Sequence, residues 1–138
     1  MRGGARPSGD NFEYRVRDAL RKEGWEAERT MKSAQAGRHD TCDVHAKHGP
    51  IQLDIEAKYS KERSRRKTIR IELEHVKEAE REARGGAPVL AVNSQIGPLF
   101  IMRARSLTQI AQQAQQAQQA EQGRVKRDEE KTKKEGSG

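Results

Sequence analysis

Between Leu53 and Tyr59 the chain reads LDIEAKY, apolar and charged residues in alternation, and a period of two belongs to an extended strand with two unlike faces. Leu53, Ile55 and Ala57 point one way, and Asp54, Glu56 and Lys58 point the other. One face suits a core; the other suits either solvent or a cluster of charge. A second strand-like run, Cys42 to Ala46, is joined to Ile51 through Tyr59 by KHGP, which has the turn chemistry of a hairpin.

The other elements follow from apolar spacing. Phe12, Val16, Ala19 and Leu20 recur at intervals of three and four, which predicts an amphipathic helix over residues 12–23 stopped by Gly24. Trp25 opens a short strand to Met31, and KSAQAGRHDT reads as a loop. Residues 71–84 read as a second helix with Leu73, Val76, Ala79 and Ala83 as its apolar line, closed by Gly85 and Gly86. PVLAV and PLFIM read as buried strands around NSQIG. The order helix, strand, hairpin, helix, two strands predicts an α/β domain.

Its limits are set by composition. Residues 1–10, rich in Gly, Pro and Arg, read as a flexible basic arm, and the folded domain spans 11–107. Residues 108–122 repeat alanine every third position with glutamine pairs between, which predicts a helical tail whose alanine stripe buries little area. A coiled coil with a protein partner is the alternative there. Residues 123–138, almost all charged or small, read as disordered.

The 138 residues carry a formal charge of +7, which favours polyanionic partners. No apolar run approaches the roughly 20 residues of a membrane helix, and the amino terminus lacks the apolar segment of a secretory signal. The expectation is a soluble, intracellular, cytoplasmic protein without membrane association. A single cysteine, Cys42, agrees with a reducing compartment.

Chemistry gathers around the hairpin. Asp43 lies thirteen residues before Glu56, so a tight turn brings the two carboxylates together. Convergent carboxylates suit a hard divalent cation such as Mg2+. Lys58 on the face of Glu56 would sit beside the metal and could stabilise charge on a phosphate. Glu13 adds a third acid from the first helix. Asp40 competes with Asp43 as the ligand, but Val44 and Ala46 continue a strand after Asp43. His39, Cys42, His45 and His48 fall three apart and imitate a zinc cluster; a strand through Cys42 and His45 would turn those two to opposite faces, which argues against it.

An Asp, a hairpin turn and then Glu-x-Lys resembles the PD-(D/E)XK nuclease superfamily. The segment GDNFEYRVRDALRKEGWEAERTMKS further resembles the opening of an archaeal-type Holliday junction resolvase, through Gly9, Glu13, Gly24, Trp25, Arg29 and Ser33, and GGAPVLAV fits that family's later helix stop and strand. The resemblance covers roughly residues 9–107. It implies a restriction-endonuclease-like mixed central sheet flanked by helices, a homodimer, and dependence on Mg2+ with Mn2+ as a substitute. It further implies metal binding by Asp43, Glu56 and the carbonyl of Ala57, with Lys58 and Glu13 assisting and Ser33 supporting cleavage. Departures from the pattern are Tyr14 where an arginine is common, Asn93 where a lysine often stands, a longer loop between Ser33 and Asp43, and no proline before Asp43.

KERSRRKTIR follows the catalytic strand with six positive residues and one negative. Lys61, Arg63, Arg65, Arg66 and Lys67, together with Arg6, Arg29, Lys32 and Arg38, are the expected DNA contacts, since Arg suits bidentate phosphate recognition. Trp25 reads as core rather than as a base-stacking platform. The function expected is metal-dependent, structure-selective cleavage of four-way DNA junctions by paired phosphodiester hydrolysis. A nuclease of this superfamily acting on flaps or duplex, and a non-catalytic basic DNA-binding protein, are the alternatives.

Overall fold

The computed structural model describes residues 9–30 and 42–136. Helix α1 (Gly9–Lys22) leads to β1 (Glu26–Arg29), the hairpin β2 (Val44–His48) and β3 (Ile51–Lys58), a short α2 (Lys61–Arg65), α3 (Leu73–Glu82), β4 (Ala87–Val92), β5 (Leu99–Ile101) and α4 (Ala104–Gly136). The strands form one sheet in sequence order, with β3 and β4 parallel and every other pair antiparallel. The expected α/β architecture is present.

The hairpin turns on two residues, Gly49 and Pro50, with His48 paired to Ile51. Gly49 has φ 59°, the positive value that a two-residue turn opening on glycine needs. The turn fixes the register Val44 with Ile55 and Ala46 with Leu53. These four side chains form one apolar face, and α1 lays Phe12, Val16 and Leu20 across it together with Ala27, Ala87, Val89 and Ala91. Trp25, Met102 and Ile110 close its margins, so Trp25 does join the core.

The opposite face is covered where β3 meets β4 and open to solvent over β1 and β2. Helix α3 crosses between β3 and β4 and places Ala79 against Leu90 and Val92, with Ile69, Ile71, Val76, Leu99 and Ile101 around them. Covering on both sides explains the unbroken apolar run of β4. It also buries Asp54 and Glu56 to 3% and 4% exposure. Charged side chains in such a place need partners.

Two element boundaries differ from expectation. Helix α3 is shorter than residues 71–84, and Leu73 is 77% exposed rather than part of the apolar line; Ile69 and Ile71, just before the helix, take that role. The carboxyl-terminal segment is a single helix from Ala104 to Gly136, which begins before the expected domain end at 107 and continues past the expected helical tail of 108–122 into residues read as disordered. Its composition lacks proline and is dominated by Ala, Gln, Glu, Lys and Arg, all strong helix formers, with a Glu121–Arg124 ion pair one turn apart. Ser106 ties the start of α4 down by donating to the carbonyl of Pro88 at 2.7 Å. Among the described residues no helix is long and apolar enough to cross a membrane.

Candidate active site

The site lies where β3 ends. The hairpin register places Asp43, one residue before β2, opposite Glu56, and two hydrogen bonds fix it there: Asp43 N–H donates to the carbonyl of Ile55 at 2.9 Å, and Asp43 Oδ2 accepts from Ala57 N–H at 2.9 Å. The carboxylate is thus held by the backbone of the strand that carries Glu56. Both acids are buried.

Glu56 also faces α3, where Glu78 and Glu82 bring carboxylate oxygens to within 4.8 Å of its own and of one another. Burial, and then the adjoining carboxyls of Glu82 and Asp43, push the Glu56 carboxyl up to about 10. Its Oε2 is buried without a hydrogen-bond partner, as is Oε2 of Glu82. Buried, mutually repelling oxygens with free lone pairs are the donor set that a hard cation takes, so the residues fit one.

Lys58 Nζ lies 2.9 Å from Glu78 and 3.6 Å from Glu56. Partial burial alone would lower its pKa, but the bond to Glu78 and the charge of Glu56 leave it raised, so the ammonium is retained. Glu13 approaches from α1. Burial, opposed by its bond to Arg29 and reinforced by the charge of Asp43, raises its pKa. The structure therefore brings together Glu13, Asp43, Glu56 and Lys58, with Ala57 between the last two.

The basic residues divide. Lys61, Arg65, Arg66 and Lys67 are exposed, and Arg66 lines an open hollow with Ser60, Thr68 and Arg70 beside the end of β3. Arg63 corrects the expectation of a phosphate contact. Its guanidinium is buried and donates to the carbonyl of Lys58 at 2.9 Å, to Asn93 Oδ1 at 3.2 Å and to the carbonyl of Arg70 at 3.3 Å. Arg29 is likewise engaged within the protein, paired with Glu13 and donating to Tyr14 Oη at 3.1 Å. Arg63 stands beside the buried Asn93 side chain, which requires a donor, whereas Arg29 is held by the charge of the partly buried Glu13. Tyr14 has the guanidinium groups of Arg17 and Arg29 within 5.0 Å of its ring centroid. Arg6, Lys32, Ser33, Arg38, His39 and Asp40 lie outside the described residues.

Sequence reasoning missed three participants. Glu78 and Glu82, four residues apart, form an acidic row beside the apolar line of α3, and that spacing was the available signal. Asn93 accepts from Ser60 N–H and Arg63 and donates to the carbonyl of Ser60 and to Ser64, so it anchors the chain as it leaves β3. Cys42 and His45 do not face apart as expected. Cys42 precedes a bend at Asp43 and is not part of β2, so alternation does not govern it, and its sulfur meets the His45 ring. His48 stays apart from them, its ring 5.2 Å from that of Trp25.

Comparison with known proteins bears on the family and the fold. No curated protein sequence matches the chain. Among solved structures, the 1.6 Å structure of Archaeoglobus fulgidus Hjc, described as a Holliday junction resolvase from an archaeal hyperthermophile, is similar in fold, with a TM-score of 0.51 and 23% identity over 68% of this chain and 76% of that one. The sequence model of the archaeal Holliday junction resolvase family, Hjc, matches residues 5–130. With that match spanning nearly the whole chain, the protein belongs to the archaeal Holliday junction resolvase family.

Proposed function

We propose that this junction-resolving nuclease cuts four-way DNA by paired, Mg2+-dependent hydrolysis, with Asp43, Glu56 and the Ala57 carbonyl holding the cation and Mn2+ able to replace it. The observation that carries this reading is the buried, unpartnered Oε2 of Glu56 set opposite Asp43 and beside Lys58. A bound divalent cation would supply Lewis-acid activation and neutralise charge on the scissile phosphate. Lys58 keeps a positive charge at the mouth of the site, where it offsets charge gained by the phosphate. Arg29 holds Glu13 toward Asp43, so that α1 contributes its acid in a fixed orientation. Lys61, Arg65, Arg66 and Lys67 provide phosphate contacts that position a branched backbone without reading bases. A homodimer would present two such sites about a two-fold axis, the symmetry that paired nicks require.

The test is a labelled immobile junction and a matched duplex, each incubated with Mg2+ or with EDTA. Paired nicks in the junction alone, abolished by EDTA and by Glu56→Gln while the variant still binds the junction, are expected. Cutting that survives Glu56→Gln would overturn the site, and equal cutting of the duplex would overturn the junction preference.

A further inference from the structure

A second constellation, built from different chemistry, lies next to the carboxylate site. The sulfur of Cys42, fully buried, is 3.4 Å from Nδ1 and 3.6 Å from Nε2 of His45. Nδ1 in turn lies 2.8 Å from Asp54 Oδ1. Donor atoms of all three residues fall within 4.8 Å of one another. A tetrahedral zinc ion, with Zn–S of about 2.3 Å and Zn–N of about 2.0–2.1 Å, spaces its sulfur and nitrogen ligands by roughly 3.6 Å. The near-equal distances set the sulfur off both in-plane lone pairs of the ring, and Nδ1 is bonded to Asp54, so binding an ion requires the half-exposed His45 ring to turn until one nitrogen faces both the sulfur and Asp54 Oδ1.

Asp54 is also held in place. Asp54 Oδ2 accepts from the backbone N–H of Arg84 at 2.5 Å and of Gly86 at 3.1 Å, which leaves Oδ1 aimed at His45. A Cβ on Gly86 would stand 2.7 Å from Asp54 Oδ1, so the glycine makes room for this carboxylate. His45 is 46% exposed and borders an open hollow shared with Arg21, Glu26, Glu28 and Lys47, which leaves part of the ring open to solvent. Glu28, its neighbour across β1 and β2, adds negative charge to that approach. A cysteine–histidine nucleophile is a poor account of the group, because the sulfur has no surface from which to attack a substrate.

We propose that Cys42, His45 and Asp54 bind a thiophilic divalent cation, Zn2+ by the mixture of sulfur, nitrogen and oxygen donors, at a site distinct from the all-oxygen nuclease site. On binding, the thiol proton passes to solvent and the sulfur–metal bond replaces it. The ion ties residue 42, immediately before Asp43, to the middle of β3, and so fastens the point at which the chain enters β2. Hard Mg2+ lacks affinity for thiolate and is not a competitor there.

The full-length protein is titrated with Co2+ in saturating Mg2+, alongside Glu56→Gln, His45→Gln and Cys42→Ser. A near-ultraviolet sulfur-to-cobalt charge-transfer band that saturates at one equivalent is expected in the wild type and in Glu56→Gln. It should vanish in Cys42→Ser and be lost or strongly weakened in His45→Gln, a half-exposed position whose replacement keeps the fold. In constant Mg2+, free Zn2+ at 100 times its dissociation constant should slow thiol labelling of Cys42 through unfolding by about 100-fold. No charge-transfer band at stoichiometric Co2+, or labelling that Zn2+ leaves unchanged, overturns the site. Persistence of the band in Glu56→Gln separates this site from the nuclease centre, so either can fail without the other.

Discussion

Glu56 is buried among acids, and in EDTA this has a thermodynamic signature. In the folded metal-free chain its carboxyl ionises only near about 10, against an ordinary value of 4.5. Across that window the folded state holds a proton that the unfolded state has released, so stability falls as pH rises. Urea unfolding in EDTA should show this decline, and Glu56→Gln should flatten it and stabilise the metal-free protein near neutral pH by about 1–3 kcal/mol. Mg2+ should reverse the ranking, since the wild type gains a ligand-stabilised state that the variant lacks. A wild type whose EDTA stability rises through the window would contradict the burial of an uncompensated acid.

At the scale of elements, the segment after β3 acts as a clamp. Removing the Arg63 guanidinium leaves the Lys58 carbonyl and Asn93 Oδ1 without their shared donor, so Arg63→Ala should cost about 1–3 kcal/mol and reduce turnover while leaving junction affinity near that of the wild type. The double variant Arg65→Ala, Arg66→Ala should do the reverse, weakening binding and lowering the salt dependence by about one unit per lost phosphate contact. Binding isotherms at several salt concentrations, paired with single-turnover cleavage, distinguish the two outcomes. The hairpin, the α1 stripe and the β4 run were legible in sequence because period and turn residues are local properties. So were Glu13, Asp43, Glu56 and Lys58, through their spacing. What α3 contributes was not, because Glu78 and Glu82 acquire meaning only when the β3–α3–β4 crossover sets them over Glu56. Arg63 was misread for a related reason: an arginine in a charged run shows nothing of the buried carbonyls it will meet.

The whole molecule is unequal in its commitments. Helix α4 would run about 50 Å at 1.5 Å per residue, yet Ser106, Gln109, Ile110 and Gln113 supply its described contacts with the body. Ending the chain after Gln122 should therefore leave the thermal midpoint within about 1–2 °C of the full-length value, whereas ending it after Leu107 should lower it by several degrees, as scanning calorimetry would measure. An equal loss in both would mean that the distal helix is bound to the body after all. The turn at Gly49 and Pro50 has a wider consequence. Slipping β2 against β3 by one residue would turn Val44 and Ala46 outward and carry Asp43 away from Glu56 in the same movement. With Asp43 and Glu56 as the proposed cation ligands, a misregistered chain would be inert as well as unstable, so a copy paired wrongly could hold DNA through its basic residues and yet lack the means of cutting it.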